Sequence, residues 1–306
     1  MAPMASIVAL CIVVMNDICR KQNLPENIDR LAAQRHLYSL AKRMSHLILV
    51  VCIILPVVLA IGKLLFPNVE WYAKVVVVIS FLATIIKFVF DNVKTSHQNL
   101  AARIQQLFDC ELYNMSWNEA LCGNMPLPEE VFRYKEGVSR DKLYNWYESE
   151  IETLSHEYAV LVCMRTNVVY DQGIRRYYHH LCSGIAIIAA LFVFSAGLIV
   201  DVSLWNLFLY GIIPLMPVVS WYIDIRNQYL KNMAALNKLH VLINNGLDKA
   251  GVKNEVTPQE LSTIQNFIFI HRNTSYAIPD IIYDMKRNDS ENATAYSVHQ
   301  ICGRLK

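Results

Sequence analysis

The chain has 306 residues, of which 54% are hydrophobic, and a formal net charge of only +2. Its mean hydropathy is +0.27. That balance exceeds the roughly 45–50% apolar content of ordinary soluble domains, and the small charge offers no strongly basic surface for a nucleic-acid polymer. Ten Gly and ten Pro argue against long disordered tracts.

The first apolar run, residues 5–15, is too short to cross a bilayer and has neither a basic leader nor a small-x-small cleavage site. From Ile28 through Leu31, Leu37, Leu40 and Met44 the apolar spacing predicts a helix. Residues 44–66 and 71–90 then form two apolar segments, each near the roughly 20 residues that cross about 30 Å of hydrocarbon. Val93, Leu100, Ile104 and Leu107 continue a helical period to about Leu112. Gly123, Pro126 and Pro128 mark a break. Leu143, Trp146, Ile151, Leu154 and Tyr158 predict a further helix, followed by one through Tyr178.

Two more apolar segments cover 181–200 and 204–223. Beyond them, Ile225, Tyr229, Met233, Leu236 and Leu239 extend a helix to about Gly246. Thr257, Pro258 and Glu260 form a capping box with Pro at the first helical position. A short last helix is expected from Pro279 to Arg287, with a loose polar tail beyond.

These signals predict an all-α integral membrane protein, with four spans in two hairpins and a cytoplasmic helical region built from the central and C-terminal segments. The expected division is 1–43, an N-terminal cytoplasmic segment; 44–90, the first hairpin; 91–180, the central region; 181–223, the second hairpin; and 224–306, the C-terminal region. Lys and Arg are absent from the short links 67–70 and 201–203 and abundant in 1–43, 91–180 and 224–306. The positive-inside rule then places both termini in the cytoplasm. Trp71, Trp205, Trp221 and Tyr222 fall where an aromatic belt would lie. Eight cysteines without a C-x-x-C pair read as free thiols, and no metal site is expected.

No phosphate-binding glycine loop, nucleophile elbow or H-E-x-x-H motif is present, so no enzymatic activity is expected. His179 and His180 stand beside Arg175 and Arg176 at the start of the third apolar segment, as ligands or as interfacial anchors. Glu70, Ser80, Thr84, Lys87 and Asp91 share one helical face. Ser80, Thr84 and Lys87 are candidates to line a pore. The alternative is packing by Ser80 and Thr84 with a snorkelling Lys87.

The central region holds two polar-aromatic clusters. One contains Asp109, Trp117 and Asn118, and the other Arg165, Asn167, Asp171, Arg175 and Arg176, with Trp146 and Tyr147 between them. Arg165, Arg175 and Arg176 offer anion donors and the aromatics a stacking face for a base. Pairing with local carboxylates or lipid headgroups is the competing reading.

These stretches resemble the SMODS-associated four-transmembrane effectors. The resemblance runs from about Met15 and rests on residues 27–42, on Leu107, Phe108, Asp109, Trp117 and Asn118, on Pro126 and Pro128, on Trp146 and Tyr147, and on Cys163, Arg165, Asn167, Asp171, Arg175, Arg176 and Tyr178. Two positions depart from the family pattern: Glu148 stands where members often have Pro, and Tyr170 where they often have Trp. The resemblance implies Met15 as the start of the native chain. It also implies a pore-forming effector of bacterial anti-phage immunity (CBASS), in the inner membrane as a homo-oligomer. A cyclic di- or trinucleotide from a companion nucleotidyltransferase would activate it, and no other cofactor is implied. The ligand candidates are then Asp109, Trp117, Asn118, Trp146, Tyr147, Arg165, Asn167, Asp171, Arg175 and Arg176. A membrane scaffold or sensor without a pore, or a small transporter, is the alternative.

Overall fold

The computed structural model describes residues 16–55, 58, 70–199, 205, 213–250 and 255–305. In chain order the helices are α1 (Ile18–Gln22), α2 (Pro25–Leu49), α3 (Glu70–Leu112), α4 (Glu119–Cys122), α5 (Pro128–Tyr134), α6 (His156–Ile199), α7 (Ile213–Leu247), α8 (Pro258–Thr274) and α9 (Asp280–Leu305). A π-helical turn, Val50–Ile54, continues α2, and a 3-10 turn, Ser149–Thr153, precedes α6. Among the described residues there is no strand.

The first half of α6 is the axis of the core. Ala159, Val160, Leu161, Val162, Cys163 and Met164 are consecutive and all buried, so this helix is covered on every side rather than along one stripe. Around it pack Phe108 and Leu112 of α3 and Tyr113 just after it, Leu236, Leu239 and Ile243 of α7, and Leu261, Ile264 and Ile268 of α8. α2 lies along α3, where Ala33 and Ala101 are fully buried in one cluster with Leu37 and Ile104. The small side chains of Ala33 and Ala101 let the two backbones approach closely. Pro25 opens α2 at a position where its missing N–H costs nothing.

The all-helical expectation agrees with the structure; the two membrane-crossing hairpins do not. Among the described residues, no helix is long and apolar enough to cross a membrane. The segments that read as separate spans are the ends of longer helices with polar bodies. Residues 71–90 belong to α3, which opens on Glu70, carries Lys74 and Lys87 within the apolar run and meets Asp91 directly after it. Residues 181–199 close α6, whose first half holds Arg165, Asp171, Arg175 and Arg176. α7 reaches Asp224 and Arg226 after a short apolar start at Ile213. The run 5–15, most of 56–69, and residues 200–204 and 206–212 lie outside the described residues. The orientation read from Lys and Arg rests on those spans and has no described crossing to attach to.

Two further expectations change. Residues 143–154 form no α-helix; the chain turns at Asn145, which has φ 52°, and α6 begins only at His156. Leu143, Tyr147, Ile151 and Leu154 are nonetheless buried, so an irregular segment laid over the core meets the spacing of a helix. α9 runs on to Leu305, because Thr294, Val298 and Cys302 make a narrow buried stripe on an otherwise polar helix. Cys19, Cys110, Cys122, Cys163, Cys182 and Cys302 are free thiols, while Cys11 and the side chain of Cys52 lie outside the described residues.

Candidate functional site

Two adjacent residues at the end of α8 reach in different directions. His271 donates from Nε2 to Asp171 Oδ2 on α6 at 2.7 Å. Arg272 pairs with Asp109 Oδ2 on α3. Asp171 also receives Arg175 Nε at 2.8 Å, one turn along its own helix. Asp109, 1% exposed, takes a further hydrogen bond from Gln265 Nε2 at 2.8 Å, and the same amide reaches Gln106 Oε1 at 2.8 Å. α8 is therefore tied to α3 through the buried Asp109 carboxylate and to α6 through the partly buried Asp171 carboxylate.

The electrostatics follow from these partners. Burial alone would raise the Asp171 carboxyl, but the Arg175 guanidinium and the His271 hydrogen bond hold it well below the usual carboxylate range. Burial acts to lower Arg175, and the Asp171 charge more than offsets it. Arg272 is treated likewise by Asp109. The Arg175 guanidinium lies 4.8 Å from the centre of the Tyr276 ring and donates to the Tyr276 carbonyl at 3.2 Å. Burial pushes the hydroxyls of the nearby Tyr38 and Tyr283 above their ordinary range. Lys42 closes the far side, pairing with Asp280 at 2.6 Å and lying 4.1 Å from the Tyr283 ring centre.

The remaining residues singled out from the sequence fall in several places. Tyr147 and Asn167 belong to a second polar chain: Asn167 Nδ2 donates to Tyr147 Oη at 2.8 Å, and Tyr147 and Tyr113 share a hydroxyl contact of 2.7 Å. Arg165 donates to Asn244 Oδ1 at 3.2 Å and Ser297 Oγ at 2.6 Å, linking α6 to α7 and α9. Trp117 donates from Nε1 to the Gly123 carbonyl at 2.8 Å, and Asn118 caps α4. Trp146 and Arg176 are exposed. Lys87 pairs with Asp91 at 2.7 Å; the side chains of Ser80 and Thr84 lie outside the described residues. Asp109, Asp171 and Arg175 are thus brought into one ionic centre, saturated by internal partners.

Sequence reasoning missed Gln265, His271 and Arg272. The signal was present: Leu261, Ile264 and Ile268 mark the buried face of α8, and Gln265 and His271 continue that face with polar side chains.

Beside the ionic centre, α7 and α8 enclose a groove of about 380 Å³. Gln228, Lys231, Asn232 and Lys238 line one wall, and Phe267 and His271 the other. Lys238 Nζ lies 5.1 Å from the centre of the Phe267 ring. His271 belongs to both places, lining the groove while bonded to Asp171.

The chain matches the model of the SMODS-associating 4TM effector domain over residues 16–301. It belongs to that family. The match runs from α1 into the last turns of α9, so the ionic centre and the groove both lie inside the SMODS-associating 4TM effector domain. The protein is also 25% identical over 285 residues to a probable CBASS effector molecule from Bacillus cereus strain VD146, covering 89% of this chain and 93% of that one. No solved structure gives a significant match. Membership in the SMODS-associating 4TM effector family supports an effector role in anti-phage defence.

Proposed function

We propose that this SMODS-associating 4TM effector is the terminal component of a CBASS anti-phage system. In this reading a companion nucleotidyltransferase makes a cyclic di- or trinucleotide on infection. The nucleotide acts on the helical body, and several copies of the effector together disrupt the bacterial inner membrane, killing or arresting the infected cell. The action is mechanical rather than enzymatic.

The observation that carries this reading is the near full-length relationship to a family of effectors and to a probable CBASS effector molecule. Its physical support is the continuity of α3 and α6. Each runs without a break from the ionic centre to an apolar end where large side chains are exposed, among them Phe81 at 67% and Ile188 at 68%. Exposed apolar side chains in such number require an apolar partner, and a bilayer supplies one. Displacing Asp109 or Asp171 therefore moves a rigid rod whose far end is lipophilic. To shift the population from 1:99 to 99:1, the signal must favour the active state by about 5.5 kcal/mol.

The test is dye release from vesicles of anionic lipid carrying the purified full-length protein. Addition of a panel of cyclic di- and trinucleotides is expected to release dye with one of them. Binding of a nucleotide with full retention of dye would replace this reading with a signalling scaffold.

A further inference from the structure

We propose that the groove between α7 and α8 is the receptor site for a phosphodiester-bearing nucleotide, with Lys231 and Lys238 on the phosphate, Phe267 against the base, and His271 connecting the occupied groove to Asp171. This assignment rests on the reading of the protein as a responder to a cyclic oligonucleotide, and adds where the nucleotide sits and how α6 feels it.

Three independent features converge. The first is charge. Among the described residues, neither Lys231 nor Lys238 takes part in an ion pair, and the lining contains no carboxylate. By contrast Arg175 and Arg272, the cations of the ionic centre, already hold carboxylates. Within the groove, the two lysines are thus cations without a carboxylate partner, able to meet an incoming phosphate. The second is shape. About 380 Å³ falls in the range of small-molecule sites, enough to seat one nucleotide unit while the rest of a cyclic ligand stays outside. Phe267 is 37% exposed and brings an aromatic side chain to the groove wall for a base to pack against.

The third is an unpartnered buried atom. His271 is 6% exposed and its Nδ1 has no hydrogen-bond partner. With Nε2–H donating to the Asp171 carboxylate, Nδ1 is an acceptor in the neutral imidazole and a donor in the protonated one. A ribose hydroxyl, which both donates and accepts, satisfies Nδ1 in either form. Satisfying Nδ1 draws on the same imidazole that holds Asp171, so occupancy of the groove acts on the link between α8 and α6.

A phospholipid headgroup carries the same phosphodiester, and the experiment separates the two sources. Binding is measured by calorimetry on the full-length protein in detergent with cyclic di-AMP, cyclic di-GMP and cyclic tri-AMP. A parallel arm uses vesicles of phosphatidylglycerol or of phosphatidylcholine. The variants are Lys231→Ala with Lys238→Ala, and Phe267→Ala; circular dichroism confirms that they fold. The expected result is binding of one cyclic nucleotide, weakened by about ten-fold or more in the double lysine variant and also weakened by Phe267→Ala. Nucleotide binding with unchanged affinity in both variants overturns the groove and leaves the proposed function standing. A lysine-dependent preference for phosphatidylglycerol with no nucleotide bound makes the groove a lipid site and overturns the nucleotide assignment. Binding of no probe overturns the assignment and the nucleotide-activated reading together.

Discussion

His271 and Asp171, one hundred residues apart in sequence, meet at 2.7 Å and fasten the end of α8 to the middle of α6. The carboxylate they share with Arg175 is the junction between the α8 side of the body and the helix that carries one of the apolar ends.

Replacing that carboxylate tests the junction. Asp171→Asn leaves Arg175, whose side chain is 5% exposed, without its counter-ion. Removing one partner of a buried pair costs about 3–5 kcal/mol, and the 22% exposure of Asp171 places the expected loss near the lower end. Thermal unfolding in detergent, followed by circular dichroism, measures it.

The same residue sets a pH dependence. The folded-state carboxyl titrates well below its unfolded value of about 3.9, so its contribution is complete above that pH and is lost as pH falls further. Below about pH 4 the wild-type midpoint is expected to fall more steeply than that of Asp171→Asn. Parallel curves would show that Asp171 is not held ionised by its partners.

Asp109 and Arg272 provide an independent pair. Asp109→Ala strands Arg272 and leaves the Gln265 amide with Gln106 as its remaining partner. A double-mutant cycle with Arg272→Ala is expected to give a coupling of about 1–3 kcal/mol. A coupling near zero would mean that the two side chains do not interact in solution.

Tyr147→Phe isolates the second polar chain. It deletes one hydroxyl and leaves Asn167 Nδ2 and Tyr113 Oη without that partner in a buried setting. The expected cost is about 1–2 kcal/mol in denaturant unfolding.

How far these features are legible in the sequence depends on whether their signal is local. The α8 start is fully legible: Thr257 Oγ1 accepts from the Glu260 N–H at 3.2 Å, and Glu260 Oε2 accepts from the Thr257 N–H at 2.9 Å. Two residues three apart decide it. The α9 helix is not, because a stripe of Thr294, Val298 and Cys302 among polar neighbours looks like a tail. The helix expected around Leu143 and Leu154 misled because burial can imitate helical spacing without helical backbone. Apolar segments are plain in the sequence, but their being ends of α3 and α6 depends on where those helices start. The ionic centre joins Asp109 to Arg272 and Asp171 to His271. Complementary charges so far apart leave no local pattern, so Asp109, Asp171 and the i+4 partner Arg175 are legible while His271 and Arg272 are not.

The central claim, that the protein answers a cyclic nucleotide by breaching a membrane, is tested most directly in living bacteria. The effector is expressed with its companion nucleotidyltransferase, the cyclic product is verified by mass spectrometry, and entry of a membrane-impermeant dye is followed over time. The account predicts dye entry when both proteins are active and none when the nucleotidyltransferase is catalytically dead. Dye exclusion and an intact membrane potential, with the cyclic nucleotide present and the effector at full length, would contradict it.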